Sequence, residues 1–324
     1  MEDNIIYSNI LTKTAGNNSA NFNNCADWDE QNGNVTTVGT NGGPSAYGTY
    51  DQSGNLNEWV DASFLHGSGP SSATPPLQAM IASVYIQRGI WGGNYAQTLA
   101  SGLSSSYRPN QYPWAKFVWY GFRLASSFST LNPLNLSNFV TVGDVNNAAD
   151  QWETYGSVGY NYVIGKYLVT NTEYVEFLNA IAMTDTYSLY NTNMATARGG
   201  ITRSGDSGSY TYSLKTNYGN KPVNYVGWFD CARYCNWLHN AKPTGSQNSI
   251  TTEDGAYTLN GETSGDAVPK NAGAKYHIPT GDEWYKAAYY KGGGTNAGYW
   301  DYATQSDSLP TCVAANSVGD GVIA

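Results

Sequence analysis

Charge is scarce in this chain, and positive charge scarcer. Only 13% of the 324 residues are charged, and 16 Lys and Arg against 25 Asp and Glu leave a formal net charge of −9. The basic residues are scattered and form no block, so the electrostatic footprint that nucleic acid or an anionic membrane surface requires is missing. Long apolar runs are missing too. Nothing approaches the roughly 20 apolar residues that cross a bilayer, and the start, MEDNIIYSNI, lacks a basic segment followed by an apolar one. No membrane insertion, signal or anchor is therefore expected. Cysteine and histidine are few. Cys25, Cys231, Cys235 and Cys312 are read as no disulfide framework, with Cys231 and Cys235 as small buried thiols four apart on a helix; His66, His239 and His277 show no metal-site spacing.

What the chain has in abundance is Gly (36), Tyr (27) and Trp (10), on a 40% hydrophobic background. This length does not limit the core, and the composition predicts one loop-heavy domain with mostly buried aromatics, closer to an adhesive or extracellular domain than to a cytosolic enzyme.

Residues 1–125 are almost free of helical periodicity. Turn-rich pieces such as QNGN, TNGGPSAYG and DQSGN separate short apolar runs, LNEWV, MIASVYIQ and WAKFVWYGFRLA, that read as isolated strands. Residues 126–138 read as a connector. Beyond it, in residues 139–324, FVTVG and NYVIGKYLV read as strands, and Thr170 with Glu173 makes a capping box for a helix to about Ala182 that carries Tyr174, Phe177, Leu178 and Ile181 on one face. RGGITRSGDSGSY predicts a hairpin or exposed loop. A second, amphipathic helix is expected over about 229–239, with Trp228, Cys231, Ala232, Cys235 and Leu238 inward, and a third after Thr280 with Glu283 as its capping partner. Helices and dispersed strands without regular alternation indicate an α+β fold.

Five stretches carry a resemblance. IGKYLVTNTEYVEFLNAIA, PVNYVGWFDCARYCNWLHN, YHIPTGDEWYKAAYY, YGTYDQSGNLNEWV, and QRGIWGGNY through YGFRLAS together resemble the formylglycine-generating-enzyme or sulfatase-modifying-factor family, a variant of the C-type-lectin fold. The blocks that close the family's domain come first here, within residues 47–125, which implies a circular permutation: 1–125 as the family's C-terminal half, 126–138 as the segment joining its former ends, and 139–324 as its N-terminal half, all in one structural domain.

The family's oxidases resemble copper enzymes with a cysteine pair ahead of the GFR block. Residues 89–123 contain no cysteine, so no copper is expected and the resemblance does not carry that activity over. No histidine matches the triad of the family's iron-dependent branch, and no GxSxG elbow is present. The resemblance does imply a structural Ca2+ site at Ser53, Gly54, Leu56 and Glu58, against the plainer reading of Glu58 as a cap or salt bridge within its turn. A second family site would begin at Asn21 and Phe22.

Between Trp91 and Phe122 lies a segment rich in Tyr, Trp, Asn and Ser. Tyr95, Tyr107, Arg108, Asn110, Tyr112, Trp114, Trp119 and Tyr120 form the candidate ligand-binding set, because Tyr, Trp and Arg provide large contact area with a polar handle. A segment packed onto its own domain is the competing account. Cysteine-free family members include target-recognition proteins diversified by retroelements, with variable positions just ahead of GFR, and the resemblance implies the same location here. The expectation is a non-enzymatic domain that binds a protein or glycan at a cell surface, outside the cell or on a virion; the alternatives are an assembly protein whose segment makes permanent subunit contacts, forming an oligomer, and an enzyme of altered chemistry.

Overall fold

The computed structural model describes residues 18–65, 86–127, 137–265 and 268–322, with the side chains of 64 and 65 left aside. His66, most of the MIASVYIQ strand and connector residues 128–136 lie outside them. Among the described residues, thirteen strands and three α-helices make up an α+β fold, as expected. The strands are β1 (Ser19–Ala20), β2 (Asn57–Leu65), β3 (Ile86–Trp91), β4 (Asn110–Gln111), β5 (Tyr120–Gly121), β6 (Ala125–Ser127), β7 (Phe139–Val142), β8 (Tyr162–Gly165), β9 (Ile201–Ser204), β10 (Thr211–Leu214), β11 (Thr311–Cys312), β12 (Ala314–Ala315) and β13 (Gly321–Val322). The helices are α1 (Asn171–Ile181), α2 (Trp228–His239) and α3 (Gly281–Tyr289).

Two sheets organise the molecule. One has the order β4-β3-β2-β5, antiparallel except for the parallel β2–β5 pair; the other places β8 between β6 and β7, antiparallel to both. β9 and β10 form the hairpin that RGGITRSGDSGSY predicts. Two strand expectations need correction. The run WAKFVWYGFRLA is not one strand, since only Tyr120–Gly121 and the following Ala125–Ser127 pair, and residues 114–119 turn instead. Ser126 and Ser127, read as the start of the connector, belong to β6 and pair with Val163 and Tyr162.

Helix starts follow local chemistry. Thr170 and Thr280 each accept from the backbone N–H three residues on, while Glu173 and Glu283 reach back to the capping residue's own N–H. α1 buries Tyr174, Phe177, Leu178 and Ile181, a single face against the main core. α2 differs from expectation. It is buried on nearly all sides rather than amphipathic, because its polar side chains are answered internally: Arg233 holds Glu253 through two 2.8 Å bonds, and Asn236 bonds the backbone of Thr252 and Tyr257. Cys231 and Cys235 are buried free thiols, as read, and burial pushes both away from ionisation.

The reading of the cysteines as unpaired is half wrong. Cys25 and Cys312, 287 residues apart, form a disulfide with Cα atoms 6.1 Å apart. β1 and β11 pair in parallel beside it, so the two extremities of the described chain are fastened together.

Glu283 has a second role. Burial raises its carboxyl, but the charge and hydrogen bond of His277, 3.0 Å away, together with Lys270 and the Thr280 N–H, outweigh burial and hold it at about 2. A folded-state value below the unfolded one gives stability that is complete above the ordinary carboxylate range and lost as pH falls from about 4.5 toward 2. Denaturant unfolding across that window is expected to show a steep loss in the native chain and a flatter profile in Glu283→Gln; equal slopes would contradict the ion pair.

Candidate ligand-binding face

The segment before GFR is held by its backbone and exposed by its side chains. β4 pairs with β3 through Asn110 and Gln111, and the Ile90 N–H bonds the Pro109 carbonyl. Beyond β4, successive carbonyls are taken by other parts of the fold: Pro113 accepts from Trp228 N, Phe117 from Tyr225 N, Val118 from Asn224 Nδ2 and Trp119 from Asn57 N. Lys116 Nζ bonds the Ser188 carbonyl at 2.7 Å and Asp230 Oδ1 at 2.9 Å. With these groups satisfied, the segment is fixed without needing its aromatic side chains as a core.

Those side chains stack in pairs. Tyr112 lies on Trp114 at 4.9 Å and 13° between planes, and Phe117 on Trp119 at 6.2 Å and 28°. Phe117, Trp119 and Tyr107 are exposed at 45%, 38% and 42%. A cleft of about 300 Å3 opens beside Trp114, with Tyr187, Phe229 and Lys116 among its walls.

The candidate set therefore divides. Tyr107 and Trp119 are exposed and Tyr112 and Trp114 half-buried, with Asn110 half-buried in β4. Tyr95, Tyr120 and Arg108 pack inward instead, Tyr120 edge-on beneath Phe117 at 5.4 Å and Tyr95 against Trp119. Tyr95 is buried with Leu56 and Val38, and Tyr120 packs edge-on to Trp59 at 5.4 Å. Arg108 pairs with Glu153, donates to the Ser105 carbonyl and lies over Tyr155 at 5.2 Å. These three fit the competing account of a segment packed on its own domain. Phe117 was missed; an aromatic two residues before Trp119 is its only sequence signal.

The Ser53–Glu58 turn has a different chemistry from the one the resemblance implies. Glu58 is fully buried, and Arg123 grips it from two nitrogens, Nε to Oε2 at 2.5 Å and Nη2 to Oε1 at 2.6 Å, while Trp284 Nε1 adds a bond at 3.1 Å. The Ser53 hydroxyl accepts from Ala303 N, and Leu56 is core. Gly54 has φ +87°, and a Cβ there would lie 2.4 Å from the Asn21 carbonyl oxygen, so the turn requires glycine for closeness as well as for angle. With its only carboxylate neutralised by a guanidinium, the set Ser53, Gly54, Leu56 and Glu58 does not fit a Ca2+ shell, and Glu58 takes the salt-bridge role instead. Asn21 keeps one buried oxygen, Oδ1, without a partner, and no group of three or more His, Cys, Asp or Glu gathers among the described residues. Nearby Asp51 is raised by burial to about 6 despite bonds from Gly39 N and Asn41.

An α+β domain with two small sheets, three capped helices and a buried GFR arginine defines the class. The family model of the sulfatase-modifying factor enzyme 1-like domain matches residues 6–128 and 140–316, and the chain belongs to this family. No curated protein and no solved structure matches it. No helix among the described residues is long and apolar enough to cross a membrane.

Proposed function

We propose that this chain is a non-enzymatic recognition domain that binds a partner macromolecule through the face formed by Tyr107, Tyr112, Trp114, Phe117 and Trp119. One observation carries the reading: two stacked aromatic pairs, one exposed and one half-buried, sit on a backbone whose hydrogen bonds are answered by other elements. Anchors fixed before binding lose little freedom on association, which is what recognition by aromatic hot spots needs. The same separation of backbone support from side-chain display suits a surface whose residues vary, in keeping with the resemblance to retroelement-diversified proteins. A buried pair of protonated thiols offers no nucleophile, which favours binding over the family's cysteine chemistry.

We read the block order as a circular permutation of a C-type-lectin-like fold. Two juxtapositions support it: β1 lies beside β11, and β6 and β7 flank the same strand β8, so both sets of ends that a permutation requires are neighbours. The Cys25–Cys312 disulfide favours an oxidising setting, in line with an extracellular or surface location.

A quantitative pull-down from surface extract of the host should compare the native chain with Trp114→Ala/Trp119→Ala. Loss of a specific partner by at least about tenfold is expected, with the melting temperature lowered by only a few degrees because both rings are partly exposed. Equal capture by both chains would move recognition elsewhere; no capture by either would favour the assembly reading.

A further inference from the structure

A second cleft, of about 550 Å3, lies apart from the aromatic face, between residues 148–152 and the loop 291–307. Its walls are tied to each other: Ala148 N bonds the Thr295 carbonyl, Tyr299 Oη bonds the Ala148 carbonyl at 2.8 Å, and Tyr285 Oη bonds Asp150 at 2.8 Å. A volume in the range of about 300–1,000 Å3 and walls braced in advance are properties of sites for small ligands. Trp152 stands among the lining residues with 81% of its surface exposed, more than any other large hydrophobic side chain among the described residues. Leaving an indole in water forgoes a substantial burial free energy, and its site gives that surface something to cover it only when a ligand arrives.

The polar lining narrows the ligand. Asp150 is occupied by Tyr285 and the Trp152 N–H, and Asp307 by the Asp301 N–H and, at 3.7 Å, Lys291. Two of the three carboxylates of the cleft are thus answered from within, which leaves Asp301 as a single carboxylate to meet a ligand. Gln151, Thr295, Asn296 and Asp301 are exposed side chains with no protein hydrogen-bond partner among the described residues, and with Trp152 they line the cleft, offering two amides, a hydroxyl and a carboxylate. Planar amide and carboxylate groups pair with adjacent hydroxyls, and an exposed indole covers the C–H face of a saturated ring. We propose that this cleft binds a neutral oligosaccharide, with a sugar ring stacked on Trp152 and its hydroxyls bonded to Asn296 and Asp301. The site is separate from the aromatic face and does not depend on that reading.

The test is a fluorescence and calorimetric titration of the whole chain with neutral trisaccharides of glucan, chitin, mannan and galactan type at millimolar concentration, alongside an oligolysine peptide. At least one saccharide is expected to bind and to perturb indole emission. Trp152→Ala should weaken that binding at least about tenfold, and Asn296→Ala and Asp301→Asn should weaken it several-fold, without change in melting temperature. Trp152→Ala should leave partner capture by the aromatic face as it was, so the two readings fail separately. The proposal is overturned if no saccharide binds, if Trp152→Ala binds as the native chain does, or if oligolysine binds in preference with an affinity that falls steeply with salt.

Discussion

An Arg123→Met chain is expected to lose about 3–5 kcal/mol of folding stability, the range for removing one partner of a buried ion pair. Both Arg123 and Glu58 are fully buried, and the substitution leaves an unpaired carboxylate in the core with only Trp284 Nε1 facing it. It also strips donors from the Tyr50 and Gly165 carbonyls, which Arg123 reaches at 2.7 and 3.0 Å. The arginine thereby links β2, the loop before it and β8, three pieces drawn from both halves of the chain. Chemical denaturation gives the single-variant loss, and a double-mutant cycle with Glu58→Gln should recover at least about 2 kcal/mol of it, since the stranded charge is then gone. A single-variant loss under about 1 kcal/mol would mean that the pair is not buried in solution.

The second large effect lies at the disulfide. Cross-linking residues 287 apart restricts the unfolded chain strongly, and loss of the bond is expected to cost about 2–5 kcal/mol, at the upper end of that range for so long a loop. Cys25→Ser/Cys312→Ser should unfold at lower denaturant and with a steeper dependence on it, because the untied chain exposes more surface. Thiol titration of the native chain in denaturant should find two reactive groups, Cys231 and Cys235, and four after reduction. Four groups without reduction would show that the bond does not form.

The contrast between what was readable and what was not follows from the range of each interaction. The capping boxes at Thr170 and Thr280 are set within four residues, so α1 and α3 begin where their sequences place them. The Cys25–Cys312 bond depends on β1 meeting β11, and nothing near either cysteine records that meeting. α2 looked amphipathic because the partners of Arg233 and Asn236 lie in residues 252–262, where the helix pattern carries no trace of them. In the candidate face, composition marks the segment but does not separate its exposed side chains from its buried ones. Tyr120 and Trp119 are neighbours of similar chemistry, one packed on Trp59 and the other exposed at 38%, and only the turn at 117–120 decides between them. Glu58 stands in the sequence as the one carboxylate of residues 53–58, and Arg123, distant in sequence, determines what it does.

Fastening β1 to β11 also sets how the molecule would respond to tension. A pull applied at residues 18 and 322 meets the short pairs β1–β11 and β12–β13 and then the covalent link from Cys25 to Cys312. Residues 26–311, which include all three helices and both principal sheets, lie inside that link and carry no load while it holds. Stretching the oxidised chain should therefore extend it by only a short, fixed amount, whereas the reduced chain would unravel through its whole contour: the aromatic face stays shaped under strain for as long as one covalent bond survives.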